Sequence, residues 1–209
     1  MSLPALTLPE ELMLLALDPA TGKPRVRARH LHYGVAAAAL ADLEARRFVA
    51  EDRGRVVPLS PPPTGEPVLD AALGLFDDGR PVRARHWLRR RRSGAVTGAC
   101  ADSLAARGLI TVETHRALGL FSVSRYPLLS PGTAEEAAAD FRGAAKMGFP
   151  EPGARMLAAL VSAIRLTRHV VPAGGSGRET RRTMRGLTRE LWPARAVDRL
   201  IKSEASDAG

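Results

Sequence analysis

The sequence predicts a mostly helical domain interrupted by two short β-hairpins. Apolar residues recur at three- and four-residue spacing along most of the chain, and helix start and stop signals bracket those runs. In two places, near residues 47–58 and 109–126, the apolar period shortens to that of strand. The length of 209 residues suits one domain, and 45% hydrophobic with 25% charged residues is an ordinary globular balance. Aromatic residues make up 4%, so the core is built largely from Leu, Val and Ala.

Thr7 with Glu10 three residues later, and Pro9 in the first turn, predicts a capped helix whose inner face carries Leu8, Leu12 and Leu15. Asp18, Pro19 and Gly22 end it, and residues 23–33 read as a basic loop. Gly34 to Arg47 is an Ala-rich helix with Val35, Ala39, Leu40 and Leu43 inward. Asp52, Arg53 and Gly54 form a hairpin turn between Phe48-Val49 and Val56-Val57, and residues 60–65 are a linker-like turn. Residues 66–77 and 82–92 read as short helices, and 95–107 as a helix closed by Gly108. The second hairpin spans 109–126 with its turn near Ala117–Leu120, and Pro127 and Pro131 stop it. Thr133 to Met147 is a further helix. Gly153 to Val171 is the most apolar one, with Met156, Leu157, Leu160, Val161 and Ile164 stacked inward. Gly174 to Gly177 is a break, and Ser176 with Glu179 predicts a second capping box. Two basic helices follow with Pro193 between them, and residues 203–209 are expected to fray.

Several function classes are set aside by composition and motif. The lone Cys100 permits no intrachain disulfide and no Cys-rich zinc site. No apolar run reaches the roughly 18 residues of a membrane span, and the first residues lack the basic start of a secretory signal, so a cytoplasmic protein is expected. None of the hydrolase, zinc-protease, phosphate-loop or dinucleotide motifs occurs, and Gly174 to Gly177 lacks the preceding strand and following Lys of a phosphate loop. His30 and His32 read as solvated loop residues without a third metal ligand, Cys100 as a packed helix residue, and Glu10 and Glu11 as helix-start carboxylates. The expectation is a protein without catalytic residues, cofactor or metal.

The charge is more informative. The formal net charge is +9, and all but three (Lys23, Lys146, Lys202) of the 31 cationic residues are Arg. This balance favours a polyanionic partner. Three basic clusters stand out: Lys23, Arg25, Arg27, Arg29 and His30; Arg83, Arg85 and Arg89–Arg92 around Trp87; and Arg178, Arg182, Arg185 and Arg189 along one helix face. The last has a core-like opposite side and reads as a solvated face. Four consecutive arginines repel one another unless an anion shares them. The second hairpin adds an apolar turn, Ala-Leu-Gly-Leu-Phe, where polar residues are usual. Such a tip either packs on the domain or enters an apolar phase. Burying one Leu or Phe is worth roughly 1.5–3 kcal/mol, and each Arg near an anionic leaflet about 1 kcal/mol. A few of each give reversible membrane binding.

The segments LTLPEELMLLALDPATG, YGVAAAALADLEARR, PTGEPVLDAAL and SLAARGLITVETHRALGLFSVSRYPL, in that order, resemble the Golgi phosphoprotein 3 family. The resemblance covers roughly residues 6–172, with a looser match in the tail, and the Arg and Ala richness is similar to that of bacterial members. It implies an all-α fold, a central helix bundle ringed by amphipathic helices with a protruding β-hairpin. It also implies a peripheral membrane protein that recognises phosphatidylinositol 4-phosphate. Eukaryotic members use a Trp and three Arg around the headgroup. In this chain those positions fall near Arg27, on Ala36, and near Gly94 and Thr97, so none of the four residue types is kept. The apolar hairpin tip corresponds to Leu118, Leu120 and Phe121.

The function expected from residues and resemblance together is reversible binding of anionic phospholipid at the inner membrane surface. Arg27, Arg29, Arg89, Arg90, Arg91 and Arg92 are the expected headgroup residues, and Leu118, Leu120 and Phe121 the membrane contact. The alternative is an adaptor that self-associates through the hairpin. Nucleic acid is not the expected partner, since no docking motif such as a helix-turn-helix is evident.

Overall fold

The computed structural model describes residues 6–59, 63–76, 79–90, 93–117 and 121–207. Ten helices are found among them, with antiparallel strands only: α1 Leu8–Ala16, α2 Ala28–Ala45, β1 Val49–Asp52, β2 Arg55–Pro58, α3 Pro67–Leu73, β3 Val82–Arg83, α4 Ala84–Leu88, α5 Ser93–Ala106, β4 Glu113–Ala117, β5 Phe121–Arg125, α6 Pro131–Lys146, α7 Pro152–Ala163, α8 Thr167–Val170, α9 Gly175–Glu190 and α10 Trp192–Ser206. The all-α expectation with a β-hairpin therefore holds.

The apolar faces explain the bundle. In α2, Val35, Ala39, Leu40 and Leu43 are all fully buried, and the small Ala36, Ala37 and Ala38 let α1, α5, α7 and α10 approach it closely. In α7, Leu157, Leu160, Val161 and the following Ile164 are buried, as the spacing predicts. Gly34 packs α2 tightly against Ile164 at the end of α7, for a Cβ there would lie 2.8 Å from Ile164 Cγ2. The N-terminal start signal forms as expected: the Thr7 amide donates to Glu10 Oε2 over 2.8 Å. Glu10 is wholly buried because Ser103 Oγ donates to Oε1 over 2.7 Å and Arg107 Nε stands 3.2 Å from the same oxygen. That carboxylate thus joins α1 to α5, a role beyond its helix end.

Several local expectations are corrected. Residues 28–33 are not loop but the first turns of α2, because Leu31 and Tyr33 are drawn into the core. His30 and His32 are therefore helical, and His32 Nδ1 lies 2.9 Å from Thr97 Oγ1 on α5. Residues 82–92 do not form one helix: Val82 and Arg83 pair with Val56 and Arg55, giving a three-stranded sheet in place of a bare hairpin. The long helix expected over 153–171 stops at Ala163, where Arg165 adopts φ 70°, and resumes as the short α8. Ser176 and Glu179 form no capping box, since α9 starts at Gly175 with Gly174 as its N-cap. Gly177 is buried against the Pro172 carbonyl, where no side chain fits. Residues 203–206 continue α10 and do not fray, held by the Tyr33 hydroxyl donating to Glu204 Oε1 over 2.7 Å.

Candidate anion and membrane-contact site

The hairpin base and an arginine cleft share one loop. After α1, the Asp18 amide donates to the Lys23 carbonyl and the Arg25 amide to the Ala16 carbonyl, each over 2.8 Å, which folds residues 17–25 into a tight turn. Gly22 sits at its apex with φ 63°. A Cβ there would lie 2.5 Å from Pro127 N and 2.6 Å from the Tyr126 carbonyl carbon, so this position requires glycine on two counts. The Tyr126 amide donates to the Gly22 carbonyl over 2.8 Å. Strands β4 and β5 rise from this anchor in register from Glu113↔Arg125 to Ala117↔Phe121. Val112 and Leu129, at 42% and 58% exposure, flank the hairpin base and are two of the four exposed large hydrophobic residues among those described.

On its other side the same loop lines a cleft of about 570 Å³. Arg25, Arg27 and His30 form one wall, and Arg165 and Arg168 the other. The break after α7 creates the second wall, because the left-handed turn at Arg165 redirects the chain before α8. Arg25 Nε is 3.7 Å from Asp18 Oδ2, and Arg165 Nη1 is 3.0 Å from Asp198 Oδ1. Arg27 and Arg168 form no ion pair with a described residue. Arg27 is also the N-cap of α2, whose first turn carries no acidic residue, so its amides add positive potential. Burial, then the Arg27 charge and the Arg165 charge, hold the His30 imidazole below its ordinary value. Burial, then Arg168 and Arg25, do the same to His169. The cleft thus has positive potential and forked donors suited to phosphate oxygens.

The expected headgroup residues are distributed, not gathered. Arg27 lies in this cleft. Arg29 is exposed on α2, 3.2 Å from Glu204 Oε2. Arg89 lines a different cleft, against α10. Arg90 is half-buried and donates to the Leu75 carbonyl. Arg91, Arg92, Leu118 and Leu120 lie outside the described residues. Phe121 opens β5 opposite Ala117. Trp87, embedded in the second basic cluster, is fully buried 5.6 Å from the Phe76 ring and belongs to the core. Sequence reasoning missed Arg165 and Arg168, because a helix read as continuous to 171 hides the turn that presents them.

Of the positions the resemblance assigns to the headgroup, the one near Arg27 borders the arginine cleft, Gly94 is half-buried, and two are closed. Ala36 is fully buried, and Thr97, also buried, is engaged with His32. Burial also lowers the His32 pKa, favouring the neutral ring. Arg178, Arg182, Arg185 and Arg189 are exposed along α9, opposite buried Met184 and Leu187, as a solvated face. The Cys100 thiol is buried, and burial pushes its pKa up. Among the described residues no three His, Cys, Asp or Glu are grouped to hold a metal ion, and no helix is long and apolar enough to cross a membrane.

No curated protein matches this chain. The family model for Golgi phosphoprotein 3, however, matches residues 8–203, nearly the whole length. The chain therefore belongs to the Golgi phosphoprotein 3 family.

Proposed function

We propose that this protein is a non-enzymatic peripheral membrane protein that binds anionic phospholipid reversibly, with phosphatidylinositol 4-phosphate as the lipid suggested by its family. The observation that carries this reading is the shared loop: Gly22 anchors the hairpin base, while Arg25 and Arg27, a few residues on, line the arginine cleft. An apolar probe and a phosphate-binding cleft on one loop can meet the same leaflet together. Arg27 and Arg168 take the phosphate, Arg25 and Arg165 are held in place by their aspartates, and Leu118, Leu120 and Phe121 enter the interface with Val112 and Leu129 at its edge. Because none of the family's four headgroup residue types is kept here, and Ala36 and Thr97 are buried, the cleft favours anionic lipid generally over strict selection of the 4-phosphate.

Co-sedimentation with vesicles tests this. Vesicles of phosphatidylcholine alone, with phosphatidylserine, and with phosphatidylinositol 4-phosphate are compared. Binding to both anionic compositions and not to phosphatidylcholine alone is expected. Arg27→Ala with Arg168→Ala, and separately Leu118→Ser, Leu120→Ser and Phe121→Ser together, should each weaken it about tenfold or more. If the hairpin variant instead loses self-association while wild-type protein ignores every vesicle, the adaptor reading replaces this one. If the hairpin variant unfolds, those residues belong to the core.

A further inference from the structure

Across the molecule's second basic region, α4 and α10 enclose a cleft of about 350 Å³. One wall carries Arg85 and Arg89, four residues apart, with Arg83 before them, and the other carries Arg195 and Arg199, also four apart. Trp192 lines the cleft too, its indole held by donation to Glu44 Oε2 over 2.7 Å. Glu51 is the one acidic residue on the lining, and its carboxylate already accepts the Gly54 amide.

The state of these arginines distinguishes this cleft from the hairpin-side one. There, Arg25 and Arg165 have aspartate partners. Here, Arg83, Arg85, Arg89 and Arg199 have no ion pair with any described residue, and Arg195 donates to the Arg189 and Glu190 carbonyls. Unlike the α9 arginines, which lie along one helix, these line a cleft between two elements. Five arginines line this one cleft beside a single carboxylate, and four of them have no acidic partner among the described residues, so like charge accumulates there. An anion with several oxygens relieves it, since each guanidinium offers forked donors that match phosphate.

We propose that the α4–α10 cleft is a second anion site, independent of the hairpin-side cleft, that takes a multiply phosphorylated group. Such a group can come from a soluble polyphosphate or phosphate ester, or from a phosphoinositide headgroup. Two or three linked phosphates match the four arginines left without an acidic partner on two walls better than one phosphate does.

The experiment is calorimetric titration of the full-length chain with inorganic tripolyphosphate. Three proteins are compared: wild type, Arg85→Gln with Arg199→Gln, and a charge-matched control, Arg182→Gln with Arg185→Gln on α9. All four positions are exposed, and circular dichroism melting confirms that each variant folds. The cleft variant should bind tripolyphosphate at least about tenfold more weakly than wild type, and the control within about twofold. The same proteins are then sedimented with phosphatidylserine vesicles and with phosphatidylinositol 4-phosphate vesicles. If the cleft variant retains binding to both, the site is established as one for a soluble ligand. If it loses the phosphoinositide vesicles alone, the site is established as one for a headgroup. A cleft variant that binds tripolyphosphate as wild type does, or an equal loss in the α9 control, overturns the proposal and leaves the hairpin-side reading untouched, whereas a wild type that binds none counts against both clefts.

Discussion

The Tyr126 amide donates to the Gly22 carbonyl over 2.8 Å, and this bond docks the hairpin on the loop that lines the arginine cleft. Gly22→Ala places a Cβ against the Pro127 and Tyr126 backbone and strains a positive φ, at a cost of about 2 kcal/mol. The expected result is faster amide exchange at Tyr126 and weaker vesicle binding, while amides in α7 stay protected. Unchanged exchange at Tyr126 would show that the loop does not anchor the hairpin.

His30 reports on the hairpin-side cleft. Burial together with Arg27 and Arg165 holds its imidazole below the ordinary value. An anion bound among these arginines offsets their charge and should raise that pKa. An NMR titration of the imidazole with and without inorganic pyrophosphate measures this. Pyrophosphate that binds without moving His30 would sit elsewhere.

Glu11 makes stability depend on pH. Its carboxyl is pushed up from 4.5 to about 7, first by burial beside Leu15, Phe141 and Leu157, then by the charges of Asp42, Asp140 and Glu10. A carboxyl with a raised folded pKa takes up a proton on folding. Stability is therefore full below about 4.5, falls as pH rises to about 7, and is level above that. Glu11→Gln should melt higher than wild type at about pH 8, by about 2 kcal/mol once its partial exposure is allowed for, and match it at about pH 4. A difference that does not vary with pH would point to packing instead of charge.

Glu10 is the buried counterpart. Glu10→Ala leaves Ser103 Oγ and Arg107 without the oxygen they share, and Thr7 without its cap. The expected loss is about 3 kcal/mol in urea unfolding. Glu10→Gln should recover part of it, because an amide oxygen still accepts from Ser103. Equal losses in both variants would mean that charge, not hydrogen bonding, holds α1 to α5.

The parts of this molecule set by short-range physics were legible in its residues. Leu157, Leu160, Val161 and Ile164 repeat at helical spacing, so their burial follows from the period alone. Thr7 and Glu10 are close enough in the chain to specify a helix start, and the strand period over 113–125 specifies β4 and β5. The tertiary structure decided what those elements bring together. Nothing near Val82 announces pairing with Val56, and a continuous apolar run masks the turn at Arg165. Arg27 meets Arg168, and Arg85 meets Arg199, across more than a hundred residues of chain. Nothing in the local sequence separates an arginine on a cleft wall from one on a solvated face. Burial of apolar side chains leaves a periodic trace, because each helix must bury its own stripe. Convergence of charge leaves none, because it depends on which surfaces the packed helices turn toward each other.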